Sequence, residues 1–448
     1  MVLSCFGSRF GPLKATTTLL LCAAACTAHA LDPWQTVDTL PRGMNGPSMA
    51  ADGQGNVYLA GVPYSSPSPF PYTVLRGKSN GKDWEAVLTV RVAGANGGGL
   101  LGWSVGADSQ GHLFLVSGSS AEWTDPGASH WIVRRSTDHG TNWTVVDDYV
   151  YDIGFSSTAK FFSSNQSGHC YVVGHALTGD IGTAVNPVRR SLDGGETWTT
   201  AGIFPPRTVA PQAILATENA VYVAGSDFSG DQRWVVWRST DQGENWKLVD
   251  SFYSGTGAAA SSLAADAGGN VYAVGTVLDV PKGWIVRRSS NGGTDWSTVD
   301  EVGGGGARVV TTDSSGSVFV FGAGWGESTA CRVSRDGGST WTTSDNLLHG
   351  LPYAATCDIA GNIYAFTDTA EVRRLANVGP ALSVKISGAT LNLSWPTNPN
   401  GFVLQSATTL SSGGNWQDSN LTPTIVGEQN VVTVNPTGSS GFFRLRKP

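Results

Sequence analysis

The sequence predicts an all-β protein built as a seven-bladed β-propeller, and three observations predict it. The composition is rich in Gly (58) and Trp (16), with 3 Met and 14% charged residues, a balance that favours strands and turns over helices. A turn motif, Ser-x-Asp-x-Gly-x-x-Trp, recurs as STDHGTNW from Ser136, SLDGGETW from Ser191, STDQGENW from Ser239, SSNGGTDW from Ser289 and SRDGGSTW from Ser334. In register with it runs a second motif, a polar turn followed by a short run of alternating aromatic and β-branched residues, starting at Asp52, Asp108, Asn165, Glu218, Asp266, Asp313 and Asp358. Its aromatic markers (Tyr58, Phe114, Tyr171, Tyr222, Tyr272, Phe319 and Tyr364) return every 45 to 57 residues. A period near fifty that holds about four strands is the pattern of propeller blades.

Each unit reads as strand A, the D-x-x-G turn, strand B, a variable loop, strand C, the Ser-Asp-Gly-Trp turn and strand D. The fifth unit shows this order as SSLAAD, NVYAVGT, GWIVRRS and WSTVDEV. Strand D begins with Trp84, Trp143, Trp198, Trp246, Trp296 and Trp341, six copies against seven of strand B. The missing copy stands at the other end of the chain, where WQTVDTL from Trp34 matches WSTVDEV, while the seventh unit stops after EVRRLA at Ala376. The N-terminal strand is therefore expected to complete the last blade, which removes sheet edges that would otherwise invite aggregation.

The flanks read differently. Residues 1–30 have the form of a signal peptide, with Arg9 and Lys14 ahead of the apolar run ATTTLLLCAAACTA and a small-x-small site at Ala28-His29-Ala30. The propeller is then expected over 31–376, in a protein secreted to the extracellular or periplasmic space. Residues 379–448 read as five or six short strands joined by Gly, Ser, Asn and Pro turns, a small β-sandwich. No later segment approaches the roughly eighteen apolar residues of a membrane span. A net charge of −7 without a basic stripe argues against a nucleic-acid partner. Beyond the leader remain Cys170, Cys331 and Cys357, an odd number without CxxC spacing, so free thiols are expected and neither a metal nor a cofactor is implied.

In the octapeptide every residue has a turn-forming role. The carboxylate accepts N–H groups exposed by the turn, Ser braces it, Gly takes a backbone angle that side chains disfavour, and Trp covers the hairpin. Asp138, Asp193, Asp241, Asn291 and Asp336 are accordingly structural, as are Arg76, Arg135, Arg190, Arg238, Arg288 and Arg374 in one repeating slot and Trp131, Trp234 and Trp284 five residues before three of the turns. These turns resemble Asp-boxes, the bacterial neuraminidase repeat of sialidases, some glucanases and several non-enzymatic propellers, and the resemblance covers most of 31–376. It implies a propeller whose Asp-boxes lie opposite the active site, leaving the loops into strand A and those between B and C as the working face. The C-terminal segment resembles the fibronectin-like modules of secreted bacterial multidomain proteins, which act as spacers or surface attachments.

Residues that break the repeat are the functional candidates. The loops into strand A supply Arg42, Asn45, Arg91, Trp103, Tyr151, Asp152, Arg207, Tyr253, Arg308, His349 and Tyr353. The B–C loops add Trp123, Asp125, His175, Asp180, Asp227, Asp231, Arg233, Trp325 and Glu327. Arg42, Trp103, Trp123, Asp125, Asp152, Arg207, Arg308 and Trp325 form the leading ligand-binding set. Aromatic rings can stack on a sugar face while charged groups bind its hydroxyls, so a glycan or an extracellular protein is the expected partner. A sialidase would need a three-arginine clamp, for which Arg42, Arg207 and Arg308 are the available set. The family's Arg-Ile-Pro motif is replaced here by Leu40-Pro41-Arg42-Gly43-Met44, and seven units stand against the usual six, so no catalytic residue carries over. Two readings follow: a propeller that binds a glycan or protein through its upper loops, or a sialidase-like or other glycoside hydrolase using carboxylates such as Asp125, Asp152 or Asp180.

Overall fold

A computed structural model describes residues 3–4, 34–41, 43–63, 71–78, 81–91, 104–118, 130–153, 155–179, 183–278, 282–323, 329–347, 350–376, 382–387, 390–396, 402–407, 416–427, 429–435 and 442–446. All regular structure among them is β, and the chain divides into two compact units, residues 32–377 and residues 378–448 together with 1–31.

The larger unit holds seven four-stranded antiparallel sheets. The first runs Met44–Ala51, Val57–Pro63, Pro71–Lys78 and Lys82–Arg91. The inner strands of the next five are Ser104–Ala107, Ser157–Ser164, Ala210–Ala216, Ala258–Ala265 and Gly306–Thr312, each followed in chain order by three more. The seventh pairs Pro352–Cys357, Ile363–Thr367 and Glu371–Leu375, and its fourth strand is Trp34–Thr39, with Trp34 opposite Leu375 and Thr39 opposite Glu371. Because neighbouring strands are antiparallel, all A–B and C–D turns of a sheet fall at one of its ends, and the D–A and B–C connections at the other.

The B strands carry the densest apolar pattern and are buried throughout, as in Leu113–Gly118 and Ile363–Thr367. Both faces of such a strand meet side chains, so the core lies between sheets. Seven apolar clusters form, each from two consecutive sheets. One of them joins Met44, Met49 and Leu59 of the first sheet to Tyr364, Phe366 and Val372 of the seventh.

Two further devices tie sheet to sheet. The fully buried Trp131, Trp234 and Trp284 of the C strands press on a glycine in strand B of the following sheet. A Cβ on Gly275 would lie 2.7 Å from Trp234 Cζ3 and 2.0 Å from the Ala259 carbonyl oxygen, so only glycine fits. Aspartates on strand D, four residues beyond the turn tryptophan, meet arginines on strand C of the next sheet. Arg287 Nε and Nη2 bind Asp250 Oδ2 and Oδ1 at 2.6 and 2.7 Å, and Arg332 holds Asp300 at 3.0 and 2.5 Å. Arg189 grips Asp147 in the same two-pronged way, with its Nε at 3.0 Å. The planar fork suits a carboxylate, and both partners are largely buried. These arginines stand one position ahead of the repeating slot, in which Arg76, Arg135 and Arg190 pair with the more exposed Glu85, Glu196 and Glu244.

The smaller unit contains two four-stranded sheets. One comprises Ser383–Ser387, Thr390–Pro396, Gln429–Val434 and Thr424–Val426. The other comprises Val403–Ala407, Gln417–Asp418, Phe442–Arg446 and Leu3–Ser4, with Leu3 opposite Phe443. Leu393, Trp395 and Val432 of one and Leu404 of the other share an apolar cluster. The remainder of the expected leader lies outside the described residues. Cys170 and Cys331 are buried, Cys357 is half-buried, and all three are free thiols. Burial pushes the Cys170 thiol up to about 12, so it is inert at neutral pH.

Deleting residues 34–40 is expected to expose the Glu371–Leu375 edge and to yield a species that aggregates and melts at lower temperature, read by light scattering and thermal denaturation. Arg287→Ala should strand Asp250 in a buried site at a loss of about 3–5 kcal/mol in chemical denaturation. A double variant, Asp250→Gly with Arg287→Trp, copies Gly202 and Trp237 from the equivalent slots of the third and fourth sheets. It is expected to be more stable than Arg287→Ala, since an apolar pair leaves no orphaned charge.

Candidate functional site

At the turn end the polar side chains are engaged by their own backbone. Asp241 Oδ1 accepts the Asn245 N–H at 2.9 Å and the Ser239 hydroxyl at 2.7 Å, while Oδ2 accepts Asn245 Nδ2 at 2.8 Å. Gly243, with φ of 92°, donates its N–H to Ser239 Oγ at 2.8 Å, and its carbonyl accepts Trp246 Nε1 at 2.8 Å. The backbone N–H and side chain of Asn245, with Ser239, hold the Asp241 carboxyl at about 2. Asp138 is held at about 2 by the same pair of bonds from Asn142; Asp193 also lies at about 2, its bonds to Ser191 and Thr197 outweighing the opposing effect of burial. The A–B turns repeat the strategy: Asp266 accepts the N–H groups of Gly268 and Asn270, Asn270 Nδ2 and the Tyr272 hydroxyl, all between 2.7 and 2.9 Å.

The turns also dock on the preceding sheet. Arg76 and Arg190 each donate to a carbonyl in the next C–D turn, of His139 and Gln242, at 2.9 Å, and the Tyr222 hydroxyl reaches the Gly292 carbonyl at 2.8 Å. Such groups are committed to the fold.

The opposite end is built differently. Each inner strand with a full ladder slips register once. The slip leaves Lys160, Gln212, Ser261, Arg308 and Tyr353 outside the ladder in the third to seventh sheets, and Gly46 and Pro47 in the first. A bulge of this kind re-aims a side chain near a sheet edge, and the position always falls five residues before the A–B turn. Trp103 holds it in the second unit by sequence. Gln212 and Arg308 are exposed, and Lys160, Ser261 and Tyr353 half-buried. The Arg308 guanidinium lies over the Tyr353 ring at 5.0 Å. Burial lowers the pKa of the Lys160 ammonium, and burial together with the nearby Lys160 charge lowers that of His175.

A second cation–ring pair stands at the same end, Arg233 over Tyr253 at 5.0 Å, with the Tyr253 hydroxyl donating to the Gly255 carbonyl at 2.8 Å. At the same end of their sheets Tyr151, Ile153, Phe155, Phe228 and Leu278 are exposed.

Of the leading candidates, Arg42, Trp103, Trp123, Asp125 and Trp325 lie outside the described residues, as do Asp180, Glu327, His349 and the Arg91 side chain. Asp152 is half-buried and its Oδ2 accepts the Gly179 N–H at 2.9 Å, a brace between two loops. Asp227 likewise accepts the Ser229 N–H at 2.7 Å. Arg207 is exposed in the left-handed region at φ of 65°, and its carbonyl accepts the Phe228 N–H at 2.9 Å. No hydrogen bond, ion pair or ring contact among the described residues joins Asp152, Arg207 and Arg308 to one another. What joins Arg308 to a neighbour is Tyr353, a residue of the candidate loops outside the leading set. The signal that groups Tyr353 with Lys160 and Gln212 is positional, five residues ahead of each A–B turn. Among the described residues no cluster of His, Cys, Asp and Glu suits a metal ion.

No protein-family model matches the chain. Over 211 residues it is 25% identical to xyloglucanase Xgh74A of Acetivibrio thermocellus, a match covering 42% of this chain and 24% of that protein. A second Acetivibrio thermocellus sequence of the same name is 24% identical over 193 residues, covering 39% of this chain and 22% of that protein. The chain thus spans about a quarter of the length of these curated relatives. Among solved structures, YCF48 bound to D1 peptide matches with a TM-score of 0.51 at 13% identity, covering 77% of this chain and 97% of that one. A streptogramin B lyase matches with a TM-score of 0.48 at 12% identity, covering 75% and 95%. The fold of residues 32–377 is that of the β-propeller proteins.

One turn exchanges its partners. Where the others place Asp first and Asn or Thr four residues on, the fifth has Asn291 donating from Nδ2 to Asp295 Oδ2 at 2.8 Å, with Asn291 Oδ1 taking the Asp295 N–H at 2.9 Å. Asn291→Asp therefore sets two carboxylates against each other, and a loss of about 1 kcal/mol is expected in chemical denaturation at neutral pH. Adding Asp295→Asn recreates the Asp241–Asn245 arrangement and should restore it. The sign with pH follows from the lowered pKa of Asp241: its contribution is complete above about 4, the unfolded value, and is lost as pH falls toward about 2. Asp241→Ala should accordingly flatten the stability profile in that window and leave the slope between pH 5 and 7 unchanged.

Proposed function

We propose that residues 32–377 form a seven-bladed β-propeller closed by the pairing of Trp34–Thr39 with Glu371–Leu375, that residues 379–448 form a β-sandwich attachment module, and that the protein is exported and binds a glycan at the end opposite the Asp-built turns. Supporting closure are the seven apolar clusters, one of which links the seventh sheet to the first. The repeated turns are read as Asp-boxes with a structural role.

The observation that carries the binding reading is the pair of arginine-over-tyrosine stacks, Arg308 with Tyr353 and Arg233 with Tyr253, at the end of the sheets where several apolar side chains are exposed. Such platforms offer a ring for a sugar face beside donors for its hydroxyls. Trp123 and Trp325 are proposed to extend the platform. The similarity to a xyloglucanase over 211 residues agrees with a carbohydrate ligand and keeps a second reading, a glycoside hydrolase, in play. Against sialidase chemistry, Leu40-Pro41-Arg42-Gly43-Met44 stands in place of the family's Arg-Ile-Pro motif, and Asp152 already accepts the Gly179 N–H.

A glycan array run beside fluorogenic glycosides separates the readings. Binding is expected without hydrolysis of a sialic-acid glycoside, and Tyr353→Ala should weaken the binding by about 1 kcal/mol. Sialoside hydrolysis that disappears in Arg42→Ala would overturn this in favour of the enzyme.

A further inference from the structure

The chain carries 35 Asp and Glu against 28 Lys and Arg. Its seven inner strands break that balance. From Met44–Ala51 to Pro352–Cys357 they contain no carboxylate at all, and their two charged residues, Lys160 and Arg308, are both cations. Both sit at the bulge, the position that the ladder releases in their strands.

Each inner strand is the terminal strand of its sheet, with one edge unpaired. Each packs beside the inner strand of the next sheet, and Pro352–Cys357 packs beside Met44–Ala51. The bulge residues therefore belong to one circle of strands, with Lys160 in the third sheet and Arg308 in the sixth, on opposite sides of the circle. Neither has an acidic partner among the described residues. Arg308 is exposed, and the contact it makes among the described residues is with the Tyr353 ring. Lys160 is half-buried beside His175, so its ammonium has given up water without gaining a counter-charge among the described residues. Elsewhere in the unit comparable cations are neutralised: Arg189, Arg287 and Arg332 each hold an aspartate. Two cations without an acidic partner among the described residues, on inner strands that carry no carboxylate, are an arrangement that an anion completes.

We infer that the ligand is an acidic polysaccharide, a polymer of uronate sugars, whose carboxylates meet Arg308 and Lys160 while a sugar ring lies against Tyr353. The planar fork of Arg308 matches a carboxylate in two bonds, Lys160 supplies a point charge, and Gln212 and Ser261 between them offer neutral hydrogen bonds to hydroxyls. This rests on the glycan reading above and narrows it to one chemical class.

Calorimetry with the full chain tests it, using polygalacturonate, its fully methyl-esterified form and xyloglucan. Polygalacturonate should bind, and esterification, which removes the charge but keeps the backbone, should weaken binding by on the order of tenfold or more. Arg308→Gln and Lys160→Gln should each cause a comparable loss with an unchanged melting temperature, and Arg308→Lys a smaller one. Arg335→Gln, in a turn at the other end, should leave affinity unchanged. Raising salt to about 1 M should weaken the wild type far more than the double Gln variant. Equal affinity for the acid and the ester, or binding of xyloglucan alone, would overturn the acidic class and leave glycan binding standing. Absence of binding to all three and to a glycan array would overturn both.

Discussion

The ladders of backbone hydrogen bonds in residues 32–377 stop at the edge of each four-stranded sheet. What makes one unit of seven sheets must therefore come chiefly from side chains crossing the gaps, with an occasional backbone bond such as that from the Ala258 N–H to the Gln232 carbonyl. Apolar area does most of it, through clusters that each draw on two neighbouring sheets, at roughly 25 cal/mol for every Å² removed from water. Burial alone fixes neither the angle nor the sliding position of two sheets. The Arg–Asp pairs and the Trp–Gly contacts do, because a two-pronged ion pair and a ring against a bare backbone each tolerate one geometry. Ion pairs of this kind generally add little net energy over apolar substitutes, and the boundary between the third and fourth sheets has Gly202 and Trp237 in those slots. Their contribution is position.

That division of labour explains why the two ends of the sheets differ. At the turn end, each Asp is surrounded by donors from its own hairpin, and the hairpin is then fastened to the preceding sheet through Arg76, Arg190 or Tyr222. The Asp side chains described there are engaged in holding their own turns. At the other end the connections vary in length, and the polar groups that the structure describes brace loops locally, as Asp152 does with Gly179. Fold-determining chemistry has been moved to one end, which frees the other to vary.

The same asymmetry decides what could be read from the sequence. Turn chemistry is local, so Ser239 to Trp246 announces its hairpin in eight consecutive letters, and WQTVDTL announces an outer strand because Trp34 repeats the place of Trp296. The ion pairs were harder. Asp250 and Arg287 lie 37 residues apart and on different sheets. Their only written trace is an Asp four residues beyond the turn tryptophan and the first rather than the second arginine of VRR. The bulges were harder still, since Lys160, Gln212, Ser261, Arg308 and Tyr353 share a position but no chemistry. A repeat is recognised by what stays constant, and these residues are held in place by the repeat while their identities are free.

Charge makes the point in another form. An excess of acid is a property of the whole surface and tells little about where a ligand goes. In this chain the acids are drawn to the turns, where N–H groups stabilise them, and to strand D, where arginines of the next sheet neutralise them. Both uses depend on the fold's own donors, and both keep carboxylates away from the inner strands. With the acids placed on turns and sheet boundaries, the charges that the inner strands themselves carry are a lysine and an arginine, each released by a bulge. Recognition by such a site is the residue of folding: the charges that the architecture has not cancelled.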